Sequence, residues 1–234
     1  NDFEALGYST VYKVLKGQEQ GVPQKRERVF IVSVRNDVLD DIGMPFMLLS
    51  GLFPEPEKES ATIYDAIGDL QQDNENASQA YELVEAMKKG AKWKWLKRLP
   101  KNPDKVVSVG DDLVGPWWDK VIAHRKKWGK SIPERKHSFF QSRRVPSNQP
   151  SHTLSEQGLQ TSLAVHLHYS EDRVYTTKES ARIMTLPDDY KLTGTLNQQL
   201  ARIGLMVAPI CMKQLADEIY KQVLEPYNEI HKSK

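Results

Sequence analysis

The ordered patterns of this chain are confined to its two ends, and that distribution limits the fold more than any single motif. Near the amino terminus "STVYKVL" (9–15) alternates, with a β-branched bias, and reads as a strand. Residues 17–23 read as a turn, and "RVFIVSV" (28–34) as a second strand whose nearly continuous apolar run predicts burial. Two helices follow. Thr62, with Asp65 three positions on, caps "TIYDAIGDL" (62–70). "QAYELVEAMKKG" (79–90) gathers Tyr81, Leu83, Val84 and Met87 on one side before Gly90 stops it. Towards the other end Thr176 and Glu179 make a capping box for "TTKESARIMTLP" (176–187), with Ile183 and Met184 facing inward and Pro187 marking the end. "PICMKQLADEIYKQVL" (209–224) starts on a proline and carries the stripe Ile210, Met212, Leu215, Ile219 and Val223. Between residues 93 and 160 periodicity is poor and Pro, Gly and Ser are frequent, so short strands and long loops are expected. This is the layout of one α/β domain interrupted by an insertion.

Charge is distributed as unevenly as periodicity. The 234 residues carry a net charge of only +2, yet residues 88–144 hold 17 Lys and Arg against 5 Asp and Glu, a local net of +12. All five tryptophans (Trp93, Trp95, Trp117, Trp118, Trp128) fall in the same window. Such a mixture suits a phosphate backbone and stacked bases, or equally a solvated basic face over a small Trp-rich core. No apolar run approaches the roughly 18 residues that span a bilayer, so no membrane role is expected. The amino terminus lacks the charged-then-apolar pattern of a signal peptide. One cysteine permits no internal disulfide and fits a reducing compartment.

Several chemistries are missing from the sequence. No two glycines are spaced G-x-G, and neither G-x-x-x-x-G-K-[ST] nor G-x-S-x-G occurs. His166-x-His168 would place two rings on one face of a strand, but without partners at metal spacing it reads as two structural histidines, and no metal is expected. Cys211, inside the apolar stretch 210–212, reads as a packing residue, because a nucleophile would need an activating base or a positive neighbourhood.

Three stretches, taken together, resemble the carboxy-terminal half of the DNA (cytosine-5)-methyltransferase family. "GVPQKRERVFIV" matches the family's Gln-x-Arg-x-Arg motif at Gln24, Arg26 and Arg28, with the strand following. "EDRVYTTKESARIMTLPDDY" (171–190) is similar to Arg-x-x-Thr-x-x-Glu-x-Ala-Arg followed by Pro-Asp, matching at Arg173, Thr176, Glu179, Ala181, Arg182, Pro187 and Asp188. "LARIGLMVAPICMKQLADEI" (200–219) resembles the closing motif around Gly-Asn-x-Val, with Leu205 in place of the asparagine. Weaker echoes are "FPEPEKESATIYDAIGDL" and "RRVPSNQPSHTLSEQG".

The resemblance implies the carboxy-terminal portion of a Rossmann-like, S-adenosylmethionine-dependent methyltransferase fold (residues 1–36 and 165–234), interrupted by a small irregular β-rich target recognition domain (37–164). It implies that a cytosine is flipped out of duplex DNA, attacked at C6 by a cysteine thiolate and methylated at C5. Arg28 would then stabilise the negative charge developing on the ring, with Arg26 and Gln24 supporting the pocket. Leu205, Met206 and Val207 would lie beside the cofactor, and Lys92, Lys94, Arg98, Arg143 and Arg144 would meet DNA. The family's Pro-Cys-Gln and Glu-Asn-Val triplets are absent, as is its glycine loop. The resemblance therefore implies a complementary methyltransferase chain or half that supplies them and most of the S-adenosylmethionine contacts, in the cytoplasm, on DNA. Two alternatives stay open: a non-catalytic DNA-binding protein derived from the same family, and an RNA cytosine methyltransferase component, which the long basic insert disfavours.

Overall fold

The computed structural model describes residues 2–57, 59–89, 97, 99–108, 123–129, 142–155 and 166–232. Its main scaffold is an antiparallel ribbon of β1 (Tyr8–Lys16) and β3 (Glu27–Arg35), in register from Tyr8↔Arg35 to Lys16↔Glu27. The turn between them contains a short 3-10 segment, Gly17–Glu19, and the two-residue β2 (Gln24–Lys25). Gly17 donates its N–H to the Arg26 carbonyl at 2.6 Å, and a Cβ there would meet the Gln24 and Arg26 carbonyl oxygens at 3.2 and 3.3 Å. Gly21 turns at φ +74, where L side chains are strained.

The second strand is buried on one face only. Phe30, Val32 and Val34 point into the core, whereas Val29 and Ile31 are 60% and 63% exposed. With Tyr12 and Val14 across the ladder they make an exposed apolar face. A run of apolar residues implies two covered faces, but among the described residues this ribbon is covered on one.

The core joins the ribbon to both ends of the chain. Leu15, Phe30 and Val32 pack in one cluster with Leu49, Ile63 and Ile67, and with Ile183, Met184, Ile203 and Leu215. Leu39, Leu49, Ile63, Ile67 and Leu70 thus share the core of the flanking motifs. A separate small cluster, Leu99 and Leu167 with Met87 and Val107, lies beside the three-stranded sheet of β4 (Val107–Ser108), β5 (Arg143–Arg144) and β7 (His166–Leu167).

The capping boxes of Thr62/Asp65 and Thr176/Glu179 form as the sequence predicts, and Thr195/Gln198 adds a third for the helix Leu196–Leu205. The helix expected at 79–90 starts earlier, at Asn74, because the Asp73 side chain accepts the Asn76 N–H. Ala80 and Leu83 are buried in it while Tyr81 is exposed. The last helix runs Pro209–Ile219, through a π turn Tyr220–Leu224, into Glu225–Lys232. Cys211 faces the core, whereas Met212, expected in the apolar stripe, faces out. Among the described residues no helix is long and apolar enough to cross a membrane.

Candidate active-site wall

β2 runs parallel to β6 (Ser151–His152), with Gln24 opposite Ser151 and Lys25 opposite His152. This ladder carries Gln24 and Arg26 inward, both buried. Gln24 donates from Nε2 to the Met184 sulfur at 3.2 Å, and its Oε1 accepts the Leu154 N–H at 3.3 Å. Arg26 donates from Nη1 to the Leu154 carbonyl at 3.2 Å, and from Nη2 to the Gly204 and Met206 carbonyls, both at 2.8 Å. One guanidinium therefore ties together stretches that lie 128 to 180 residues apart. None of its acceptors is a carboxylate. Burial, and then the neighbouring Arg28 charge, pull its pKa down to about 10, so it stays cationic at neutral pH.

Arg28 differs from its neighbour. It lies across from Leu15, is only half-buried, and donates one hydrogen bond, from Nη1 to the Glu27 carbonyl at 2.8 Å. Among the described residues the rest of its planar fork is uncommitted. Arg26 and Arg28 line a small cleft with Leu15, Phe30, Val207, Ala208 and Cys211. Burial raises the Cys211 thiol to about 11, which keeps it a protonated packing group at neutral pH, in agreement with its sequence reading.

Leu205 and Val207 are exposed beside this cleft. Met206 is not available in the same way. Its N–H donates to the Arg202 carbonyl at 3.1 Å and its carbonyl accepts from Arg26, so its backbone is committed within the protein, which narrows the expected cofactor role of that residue.

The second motif stretch builds a different kind of centre. Arg173 binds Glu179 through both terminal nitrogens at 2.7 and 2.9 Å, and Glu171 through Nε and Nη2 at 3.0 and 2.9 Å. Glu179 also caps Thr176 and accepts from Asn76 Nδ2 at 3.0 Å, and Thr176 Oγ1 donates to Asn76 Oδ1 at 2.5 Å. Burial alone would lower Arg173 and raise Glu179, but the pairing outweighs it in both: Arg173 is held above its ordinary value and Glu179 below. His168, 3.8 Å from Glu179, is pushed down to about 4 chiefly by burial. Arg182 clamps Asp188 at 2.8 and 2.7 Å and Asp69 at 2.5 Å. The residues of this motif are therefore struts. Asn76 is a partner that no local sequence pattern reveals, since it meets Glu179 across 103 residues.

Among the residues expected at DNA, Arg144 is fully buried. It donates to the His168 and Glu171 carbonyls at 2.5 and 2.6 Å and to Asp172 at 2.8 Å, which removes it from any surface a phosphate could reach. Arg143, beside it in β5, is half-buried. Lys92, Lys94 and Arg98 lie outside the described residues, as do four of the five tryptophans; the fifth, Trp128, is exposed.

The C-5 cytosine-specific DNA methylase family matches residues 1–221, and this chain belongs to that family. Among its relatives, the type II methyltransferase M.PspPI of Psychrobacter sp. (strain TA137) is 30% identical over 203 residues, which are 86% of this chain and 43% of the relative. The type II methyltransferase M.BbvI of Brevibacillus brevis is 27% identical over 225 residues, 92% of this chain and 50% of the relative. The chain thus spans about half the length of the curated relatives it matches. Its fold is similar to a crystal structure named as a DNA modification methyltransferase encoded within an E. coli prophage. That match has a TM-score of 0.52 at 16% identity, over 94% of this chain and 62% of the other.

Proposed function

We propose that this chain forms the recognition region and one wall of the cytosine pocket of a DNA (cytosine-5)-methyltransferase. The observation that carries the reading is the Arg26 staple. It draws the Gln-x-Arg-x-Arg turn, the 151–154 segment and the end of the Leu196–Leu205 helix together and leaves the Arg28 fork free at the cleft. In the proposed reaction a thiolate from the complementary half adds to C6 of the flipped base, and negative charge grows over the ring and its O2. A preorganised guanidinium costs little reorganisation to stabilise that charge, and Arg28 is placed on a strand whose neighbours fix it.

S-adenosylmethionine supplies the methyl group when bound. Leu205 and Val207 fit it as an apolar edge only, since the described residues of this chain include no glycine loop to cradle it. Duplex DNA is met by the basic segment, including Lys92, Lys94, Arg98 and Arg143, with phosphate contacts setting affinity. The exposed face of Tyr12, Val14, Val29 and Ile31 favours a complementary half, because four large apolar side chains on one ribbon face are costly to leave in water.

Labelled methyl transfer tests the reading. The purified 234 residues should transfer nothing to DNA, and transfer should appear on adding the half that carries Pro-Cys-Gln. Robust transfer by the chain alone contradicts it, and binding of DNA with no transfer in any combination favours the non-catalytic alternative.

A further inference from the structure

Two short ladders meet beside the pocket wall and place four nitrogen-bearing side chains in a row. In β2–β6 Lys25 is opposite His152, and in β5–β7 Arg143 is opposite His166. The His152 and His166 rings stack across the gap, with centroids 6.2 Å apart and planes within 24°. Lys25 is exposed, and Arg143, His152 and His166 are half-buried. Among the described residues no carboxylate pairs with any of the four.

This arrangement is unusual for packing alone. Burial lowers the pKa of His152, and the charges of Arg143 and Lys25 lower it further. His166 falls to about 4 through burial, then through His152 and Arg143, against a raising contact with the Thr153 backbone. Among the described residues its Nδ1 is buried with no hydrogen-bond partner, an ordinarily unfavourable state. Lys25 and Arg143 are two cationic side chains with no carboxylate beside them among the described residues, and with an unsatisfied ring nitrogen next to them they suit an anion. The contrast with Arg144, one position from Arg143, is direct: Arg144 has Asp172, and among the described residues Arg143 has no such partner.

We propose that Lys25, Arg143 and the stacked pair His152–His166 form a phosphodiester site that grips a DNA backbone phosphate next to the flipped base. The inference rests on the DNA reading above. Position supports it: Lys25 lies between Gln24 and Arg26 of the pocket wall, and His152 is followed by Thr153, whose hydroxyl donates to the Lys25 carbonyl at 2.6 Å, and by Leu154, whose carbonyl Arg26 holds. Arg143 supplies a planar fork and Lys25 a point charge. Bound phosphate also offsets the like-charge repulsion on the two rings, so binding draws protons onto the histidines and strengthens as pH falls.

The test uses the intact 234-residue chain and a labelled 20-base-pair duplex, with affinity measured against salt and pH. Lys25→Gln and Arg143→Gln should each weaken binding several-fold and reduce the log–log salt slope by about one. His152→Gln should bind like the parent at pH 8 and lose most of the gain in affinity that the parent shows as pH falls. Thermal melts check that Arg143→Gln and His152→Gln, both at half-buried positions, still fold; Lys25→Gln, at an exposed position, tests the proposal independently of them. If the parent binds DNA and all three variants match it in affinity, slope and pH response, the phosphate site is wrong while the DNA reading stands. If the parent does not bind duplex at all, the DNA reading fails first. Inorganic phosphate that shifts the His152 ring resonances while the duplex does not would mark a free-phosphate site and overturn the proposal.

Discussion

Arg26 and Arg173 are both taken out of water, and they are satisfied in opposite ways. Arg173 meets two carboxylates and leaves its surroundings close to neutral. Arg26 meets only carbonyl oxygens, so its charge is held in place without being cancelled, two residues from the second, half-free charge of Arg28. The first arrangement fastens a helix to the core. The second builds a wall that is rigid and electropositive, as a site for developing negative charge requires. Two arginine-bearing motifs in one family resemblance thus do different work, and the identity of the acceptor separates them.

The largest expected effect is on the strut. Arg173→Ala leaves Glu179 buried and unpaired and should cost about 3–5 kcal/mol of stability by chemical denaturation. A loss under about 1 kcal/mol would mean the pair is not structural and would erase the contrast with Arg26.

Acid should weaken the same centre next. Folded His168 titrates at about 4 and an unfolded histidine near 6.5, so the folded state holds fewer protons between those values. Its contribution is complete above pH 6.5 and is lost as pH falls towards 4, by about 3 kcal/mol at most, since Glu179, Glu171, Arg173 and Arg144 also act on the ring. His168→Gln should flatten that part of the stability–pH curve. An unchanged slope would relocate the acid sensitivity to His166.

Arg26→Met should cost less than Arg173→Ala, about 2 kcal/mol, because the carbonyls it abandons are neutral. If it proved the more damaging of the two, the uncancelled charge at Arg26 would be a structural device first. The smallest stability effect belongs to Arg28→Ala, within about 0.5 kcal/mol of the parent, as expected for a half-exposed side chain with one hydrogen bond.

Local rules made much of this legible. The Thr62/Asp65 and Thr176/Glu179 boxes need only residues three apart, and a proline at the start of a helix carries its own geometry. What escaped was set by partners distant in sequence. Arg144 looks like Arg143 until Asp172 and the carbonyls of the 168–171 turn close around it. Asn76 is an ordinary helix residue until Glu179 and Thr176 arrive from a hundred residues away. The apolar run 29–34 fits one covered face or two, and only the ribbon's neighbours decide which. Leu49, Ile63 and Ile67 join the common core through partners equally distant in sequence.

The central claim is that Arg28 stabilises charge on the reacting base while Arg26 only holds the wall. Turnover of Arg28→Ala in the enzyme completed with its complementary half, measured alongside its melting temperature, tests this most directly. The account predicts a fall of about 100-fold or more in turnover, a much smaller change in DNA affinity, an unchanged melt, and poor rescue by lysine. Turnover equal to the parent, or a loss that merely follows unfolding, would contradict it.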